Sequence, residues 1–202
     1  MHNFYTIPTN SDTRVNNDTL ERYSNEHQYK YWVGADMFTP DPNYVVAPTR
    51  NAYEFGGPYL SYNPTNESVS RFALRRPATW EAGYVTLSTI DWACTNNTNN
   101  FKIIVNIELY TEGASLNVNG GASMIASFTQ SPATIETKQT TILLNISDQY
   151  KVNINKSYSW IAVSIMRDGT DGVDTNAGYW NLLGCTIQYV ETQRYFGEKV
   201  PL

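Results

Sequence analysis

Histidine, cysteine and positive charge are all scarce in this 202-residue chain. The two histidines, His2 and His27, lie near the N-terminus, and no nucleophile elbow, zinc-type Cys/His spacing or phosphate-binding loop is present. Because histidine is the usual base in acid–base and nucleophilic catalysis, the sequence predicts a protein that is not an enzyme. A glycan hydrolase needs only two carboxylates across a cleft, so it is the enzymatic alternative. Its candidate carboxylates are Asp36, Asp41, Glu54, Asp91 and Glu108, and mutation of Asp91 or Glu108 is the test.

Long apolar runs and a basic face are also missing. The net charge is -5, so we expect no nucleic-acid partner. No segment approaches the ~20 apolar residues of a membrane helix, and the N-terminus lacks the basic and apolar regions of a signal peptide, so no membrane association is expected. The two cysteines, Cys94 and Cys185, fall in strand-like segments and are predicted to be free buried thiols; a disulfide would require neighbouring strands.

What the chain does contain favours strands and tight turns. Aromatic residues reach 13%, with 15 Tyr, while charged residues make up only 16%. Apolar residues alternate along 101–111, 158–167 and 181–190, and along 83–94 they change phase in a way that indicates a β-bulge. The residues predicted to face inward are Val85, Leu87, Ile90, Trp92, Ile103, Val105, Ile107, Leu109, Ile161, Val163, Ile165, Leu183, Cys185, Ile187 and Tyr189. Short strands without amphipathic helices predict an all-β antiparallel sandwich or barrel.

Composition divides the chain into three parts. Residues 1–30 form a polar N-terminal arm with no sustained period, residues 31–192 form the β domain, and residues 193–202 form a C-terminal tail. Within the domain, the proline-rich stretch 31–67 predicts short extended pieces and turns. The arm is interpreted as a docking or anchoring segment, because a polar arm is ordered only when its own domain or a neighbouring subunit holds it. Its candidate docking residues are Phe4, Tyr5, Tyr23 and Tyr29.

The loop RDGTDGVDTNAG, residues 167–178, concentrates aspartate and glycine before the last hydrophobic run. Asp168, Asp171 and Asp174 are spaced by three, whereas an EF-type calcium loop places ligands at every second position and ends in a glutamate. Position 12 counted from Asp168 is Tyr179. We therefore favour an ordered connection in which the aspartates accept hydrogen bonds from nearby amides, and keep the three as candidate calcium ligands, calcium being the one cofactor considered.

Aromatic residues also cluster in the proline-rich stretch. They are Tyr44, Tyr53, Phe55, Tyr59 and Tyr62. Aromatic faces suit wet interfaces, so this cluster is a candidate glycan-binding platform. Because the whole chain is rich in tyrosine, packing of these residues between subunits is favoured over glycan binding.

Three segments resemble a jelly-roll domain found in virion proteins of tailed bacteriophages. WVGADMFTP (32–40) is similar to that family's first segment, and RFALRRPATWEAGYVTLSTIDWA (71–93) is similar to its central pair of strands. IMRDGTDGVDTNAGYWNLLGCTIQYVE (165–191) resembles its end, where an Arg-Asp-rich loop leads into a Leu-Leu-Gly strand. The residues that carry this last resemblance are Arg167, Asp168, Asp171, Asp174, Thr175, Leu182, Leu183 and Gly184. The order agrees over about residues 31–190, and the arm and the tail lie outside it.

The resemblance implies an antiparallel jelly-roll β-sandwich and a non-enzymatic structural protein of the virion, assembled in the host cytoplasm and exposed on the particle. It implies a homotrimer that contacts other capsid or tail proteins. The resemblance leaves two positions on the particle open. On the capsid the protein would be a decoration protein or a head fibre, and on the tail it would be part of a fibre. A carbohydrate- or receptor-binding module that contacts a host-surface glycan during attachment is the alternative function. The family places no catalytic residue on this sequence.

Overall fold

The computed structural model describes residues 5–16, 19–54, 57–76, 82–113, 122–143, 152–154, 157–195 and 200–201. Within these ranges the chain forms fourteen strands and one short 3₁₀ helix, Ala35–Met37. The strands are β1 (Tyr5–Asn16), β2 (Thr19–Gly34), β3 (Thr39–Pro40), β4 (Thr49–Ala52), β5 (Pro58–Tyr62), β6 (Glu67–Arg75), β7 (Ala82–Cys94), β8 (Phe101–Thr111), β9 (Ala122–Gln130), β10 (Gln139–Ile142), β11 (Val152–Ile154), β12 (Tyr158–Asp168), β13 (Trp180–Tyr195) and β14 (Val200–Pro201). No helix in the described part of the chain is long and apolar enough to cross a bilayer.

The strands form two antiparallel sheets with jelly-roll connectivity. In the large sheet β13 lies at the centre, with β2 and β5 along one side and β7 along the other, and β10 and β11 pair with the far side of β7. The small sheet has the order β3-β6-β12-β8-β9. From β5 to β13 the chain passes repeatedly between the sheets in the order that defines a double Greek key. The predicted all-β antiparallel jelly-roll sandwich is therefore confirmed.

The core lies between the sheets and contains almost all of the predicted inward residues. Ile103, Val105, Ile107 and Leu109 of β8 are fully buried, and so are Ile161, Val163 and Ile165 of β12. Successive side chains of a strand point to opposite faces, so the period-two pattern was sufficient to orient both strands. Cys94 and Cys185 are both buried and both free, as predicted.

Two bulges change which side chains enter the core. In β7, Leu87 pairs with Ile187 and Thr89 with Thr186, so Ser88 is the extra residue and the inward set moves from Leu87 to Ile90. This is the predicted bulge. A second bulge in β13 was not predicted: Leu182 pairs with Trp92 and Gly184 with Asp91, which leaves Leu183 between them. Leu182 is fully buried and Leu183 only half-buried, so the prediction that Leu183 faces the core is wrong.

The two ends of the chain extend the large sheet. β1 and β2 form an antiparallel hairpin, β2 pairs with β13 as far as Tyr195, and β14 returns to pair with the start of β2. The predicted domain boundaries at residues 30 and 192 therefore fall inside β2 and β13. The side chains of residues 1–30 show no strand pattern, although residues 5–16 and 19–30 form strands. Strand pairing uses backbone groups, which every residue except proline provides in full, so it does not require a particular composition.

Candidate functional site

The three aspartates of the loop at 167–178 have different environments. Asp168 Oδ1 accepts hydrogen bonds from the amide and hydroxyl of Thr170, and Asp171 Oδ1 accepts one from the amide of Val173. These are the local Asx-turn contacts that the sequence predicted for the loop. Asp174 is different, because its carboxylate is fully buried and faces an arginine.

Arg167 is the partner of Asp174, and the pair is bidentate. Arg167 Nε lies 2.9 Å from Asp174 Oδ2, and Nη2 lies 2.8 Å from Oδ1. The guanidinium also donates to the carbonyl oxygens of Asn176, at 2.6 Å, and Gly178, and it lies 4.7 Å from the ring centroid of Phe101. Both side chains of the pair are 0% exposed. A buried charge pair is tolerated only when its remaining donors and acceptors are satisfied, and here the backbone of the loop satisfies them.

In the sequence Arg167 stands out only as a member of the loop at 167–178, with no role of its own. The signal that could have found it is its phase: Arg167 follows Ile161, Val163 and Ile165 at steps of two along β12. An arginine in phase with three core residues is an inward residue, and an inward arginine needs an anionic partner close by.

The loop is locked to its neighbour at 95–100. Asn176 Nδ2 lies 3.1 Å from the carbonyl oxygen of Asn96 and 2.6 Å from that of Thr98. Asn176 Oδ1 accepts from the amide of Gly178, and the Tyr179 amide donates to Thr95 Oγ1. The backbone amide of Lys102 donates to Asp174 Oδ2, 3.0 Å away. These contacts join two loops at one end of the sandwich and hold the aspartate loop in place as a connection.

The structure does not bring the three candidate calcium ligands together. Both oxygens of Asp174 are already hydrogen-bonded to Arg167, and one of them also to the Lys102 amide. Across the described ranges, no group of three or more His, Cys, Asp or Glu side chains could hold a metal ion. The chemistry of the loop is that of an internal ion pair.

One of the aromatic residues of the proline-rich stretch belongs to the core. Tyr62 is fully buried, its hydroxyl is hydrogen-bonded to Ser70 Oγ, and its ring lies 5.1 Å from that of Trp180. It is a core residue, so its assignment to a glycan platform is wrong. Burial raises the pKa of the Tyr62 phenol. Its inward direction follows from the alternation of β5, in which Leu60 and Tyr62 share the buried face.

Two of the remaining four do stack. The rings of Tyr53 and Tyr59 lie 4.3 Å apart and are half-buried, and Asn181 Nδ2 donates to the Tyr53 hydroxyl. Tyr44 is half-buried, and Phe55 lies outside the described residues. Of the docking residues, Phe4 lies outside the described residues, as do the side chains of Tyr5, Tyr23 and Tyr29.

Among the carboxylates considered for hydrolysis, the two chosen for mutation, Asp91 and Glu108, belong to different sheets. Asp91 is on β7 in the large sheet, where it accepts from Thr140 Oγ1 and forms an ion pair with Lys138 at 3.1 Å. Glu108 is on β8 in the small sheet. Both alternate with buried neighbours, so they point outward from opposite faces of the sandwich and share no cleft.

A groove of about 520 Å³ lies along the outer face of the small sheet. Its outward lining residues fall in three cross-strand rows: Trp160 and Tyr110; Ala73, Ala162 and Glu108; Arg71, Ser164 and Asn106. Met37 and Thr39 line it beside β6. The middle of the face carries small side chains and the flanks carry polar and aromatic ones, so the depression follows directly from the sequence of β6, β8 and β12.

The polar side of the groove is a connected set of hydrogen bonds. Asn106 Nδ2 donates to Glu108 Oε1 at 2.7 Å, and the Tyr110 hydroxyl donates to Glu108 Oε2. Burial, and then the hydrogen bond to Glu108, raise the pKa of Tyr110 to about 12. On the other side, Arg71 Nη2 forms a 2.9 Å ion pair with the buried carboxylate of Asp41, and the arginine side chain stays 58% exposed.

Fold and site together define a jelly-roll β-sandwich with a structural ion pair at one end and an open groove on one face. No protein-family model and no curated protein matches the chain. Among solved structures it is similar to a family two carbohydrate esterase from Cellvibrio japonicus, at 12% identity and a TM-score of 0.31, covering 86% of this chain and 36% of that one. It is also similar to an agarase, AgWH50C, at 8% identity and a TM-score of 0.30, covering 91% of this chain and 22% of that one.

Proposed function

We propose that this chain is a non-enzymatic structural protein of a tailed-phage virion, attached to the particle through its N-terminal hairpin. The supporting sequence observation is the resemblance over residues 31–190, which includes the Arg-Asp loop and the Leu-Leu-Gly strand. The jelly-roll strand order agrees with the fold which that resemblance implies.

The observation that carries the attachment is the position of β1. It is a 12-residue strand at the edge of the large sheet, and its principal contacts within the described residues are with β2. An edge strand presents a row of backbone donors and acceptors that can pair with another chain. A hairpin that extends the sheet in this way is suited to dock the sandwich on a neighbouring protein, either on the capsid or on the tail.

The test is a truncation that removes the hairpin but keeps the part of β2 that completes the sandwich. Residues 30–34 of β2 pair with Gly184 to Gln188 of β13, so a chain lacking residues 1–26 retains that pairing. We expect the truncated protein to fold, with circular dichroism and melting close to those of the full chain, and to lose co-sedimentation with particles assembled without it. A chain lacking residues 196–202 is the matched control and should still co-sediment.

Normal co-sedimentation of the chain lacking residues 1–26 would show that the hairpin is not the attachment element. The proposal also includes a homotrimer. Native mass spectrometry should then give three chains of 22.9 kDa, and a strictly monomeric full-length protein would contradict that part.

A second candidate function is a carbohydrate-binding module used in host attachment. The groove on the small sheet favours it, because it combines exposed aromatic surface with fixed polar groups on a rigid face. The two functions are compatible, since the hairpin belongs to the large sheet and the groove to the small one.

A further inference from the structure

We propose that the groove on the outer face of the small sheet binds a neutral saccharide, with Trp160 stacking on a sugar ring and Asn106 and Glu108 bonding its hydroxyls. This inference deepens the second candidate function and does not depend on attachment through the hairpin. It assigns the glycan site to the sheet face and not to the tyrosines of the proline-rich stretch.

The shape of the groove comes from the small residues at its centre. Ala73 and Ala162 are directly opposite each other on β6 and β12, and Ser164 follows on the same face. Larger side chains surround them, with Arg71 on β6, Glu108 on β8 and Trp160 on β12, so the sheet surface is lowest over Ala73 and Ala162. A volume of about 520 Å³ is within the usual range of ligand sites and holds a short oligosaccharide.

Trp160 supplies the apolar surface. It lies beside Tyr110 across the β12–β8 pair and is 40% exposed, although it belongs to a strand whose inward residues are fully buried. An exposed indole on a rigid strand loses little conformational freedom on binding, and its flat face matches the C–H face of a pyranose ring.

Asn106 and Glu108 supply fixed acceptors. Glu108 holds the Asn106 amide nitrogen and the Tyr110 hydroxyl at the same time, so all three side chains are oriented before any ligand arrives. A carboxylate accepts only, which fixes the amide nitrogen toward Glu108. Asn106 Oδ1 is buried and accepts no hydrogen bond from the described residues. A buried acceptor without a donor is unfavourable, and a hydroxyl that enters the groove beside Asn106 provides that donor.

The charges of the groove select the ligand class. Arg71 and Ser164 donate on one side, and Glu108 and Asn106 accept on the other, which matches hydroxyl groups that both donate and accept. Glu108 disfavours phosphate and polyanionic ligands, and Arg71, on the other side of the groove, is already paired with Asp41. An apolar peptide would leave these polar groups unpaired. A neutral saccharide satisfies both the aromatic and the polar parts.

The experiment measures binding of the purified full-length protein to soluble polysaccharides by affinity electrophoresis and tryptophan fluorescence. The neutral probes are dextran, laminarin and galactomannan, and the anionic probe is alginate. We expect one or more neutral probes to bind, and Trp160→Ala to weaken that binding by about tenfold or more. Glu108→Gln should weaken it several-fold. Trp32→Ala is the matched control, because Trp32 is 55% exposed on the large sheet.

A second variant keeps the inference testable if Trp160→Ala folds poorly. Ala162→Gln fills the centre of the groove while keeping Trp160, and it should abolish binding with the melting temperature nearly unchanged. The inference is overturned if no neutral probe binds at millimolar saccharide, if binding is limited to alginate and lost with salt, or if Trp160→Ala and Trp32→Ala weaken it equally. Particle attachment is measured by co-sedimentation, so failure of either proposal is seen separately.

Discussion

The buried ion pair between Arg167 and Asp174 gives the sharpest prediction about stability. Asp174→Asn keeps the size of the side chain and removes its charge. Arg167 then lies in the core with no counter-charge, and the new amide nitrogen must face a guanidinium that can only donate. Breaking a fully buried pair by removing one partner costs about 3–5 kcal/mol.

For a chain of this length each kcal/mol lowers the melting temperature by about 2–4 °C, so the expected fall is about 6–20 °C. Thermal melts followed by circular dichroism measure it. Asp168→Asn and Asp171→Asn are the matched controls: each keeps the Oδ1 acceptor of its Asx turn, so the free energy of unfolding should change by less than about 0.5 kcal/mol. If Asp174→Asn, Asp168→Asn and Asp171→Asn have the same melting temperature, the reasoning about the buried pair is refuted. The double variant Arg167→Met/Asp174→Leu removes both charges and should recover part of the loss.

Three further outcomes are expected from the same structure. A Cβ on Gly178 would lie 2.8 Å from the backbone nitrogen of Asn96, whereas a Cβ on Gly172 would meet no heavy atom within 4 Å. Gly178→Ala should therefore lower the free energy of unfolding by about 1–3 kcal/mol, and Gly172→Ala should leave it unchanged. The pKa of Tyr110 is about 12 in the folded chain, whereas an unfolded tyrosine has its ordinary pKa of 10.0. The stability that this difference supplies below pH 10 should therefore fall as the pH rises to 12, and Tyr110→Phe should flatten that fall in urea titrations. Excess calcium or EDTA should leave the melting temperature unchanged, because Arg167 holds Asp174; a rise of several degrees with calcium would restore the loop as an ion site.

The core was predictable because it depends on a short-range rule. Alternation alone oriented β8 and β12, and the change of phase between Leu87 and Ile90 located the bulge at Ser88. The bulge at Leu183 was not predictable in the same way. NLLG offers two adjacent leucines, so either one satisfies the pattern, and only the register against β7 selects Leu182 for the core.

The groove could not be predicted because it depends on the pairing of distant strands. Ala73, Glu108 and Ala162 become one row only when β6, β12 and β8 lie side by side in register. Along the chain each is an ordinary outward residue of a half-buried strand. Tyr62 was assigned wrongly for a different reason. It is close in sequence to other tyrosines, which suggested a shared surface, but the alternation of β5 directs its side chain into the core.

The structure gives a physical role to several residues of the loop at 167–178 and of the strand that follows it. Arg167 and Asp174 form the buried pair, Asn176 holds the neighbouring loop, and a Cβ on Gly184 would lie 2.6 Å from the carbonyl oxygen of Val33. Each of these residue types is required by packing or by hydrogen bonding at that position. A sequence can therefore keep this pattern whenever it keeps the closing strand of the jelly-roll, whatever the protein binds. The β1 edge and the face around Trp160 carry no such packing requirement, so the tests of attachment and of saccharide binding are directed at these two surfaces.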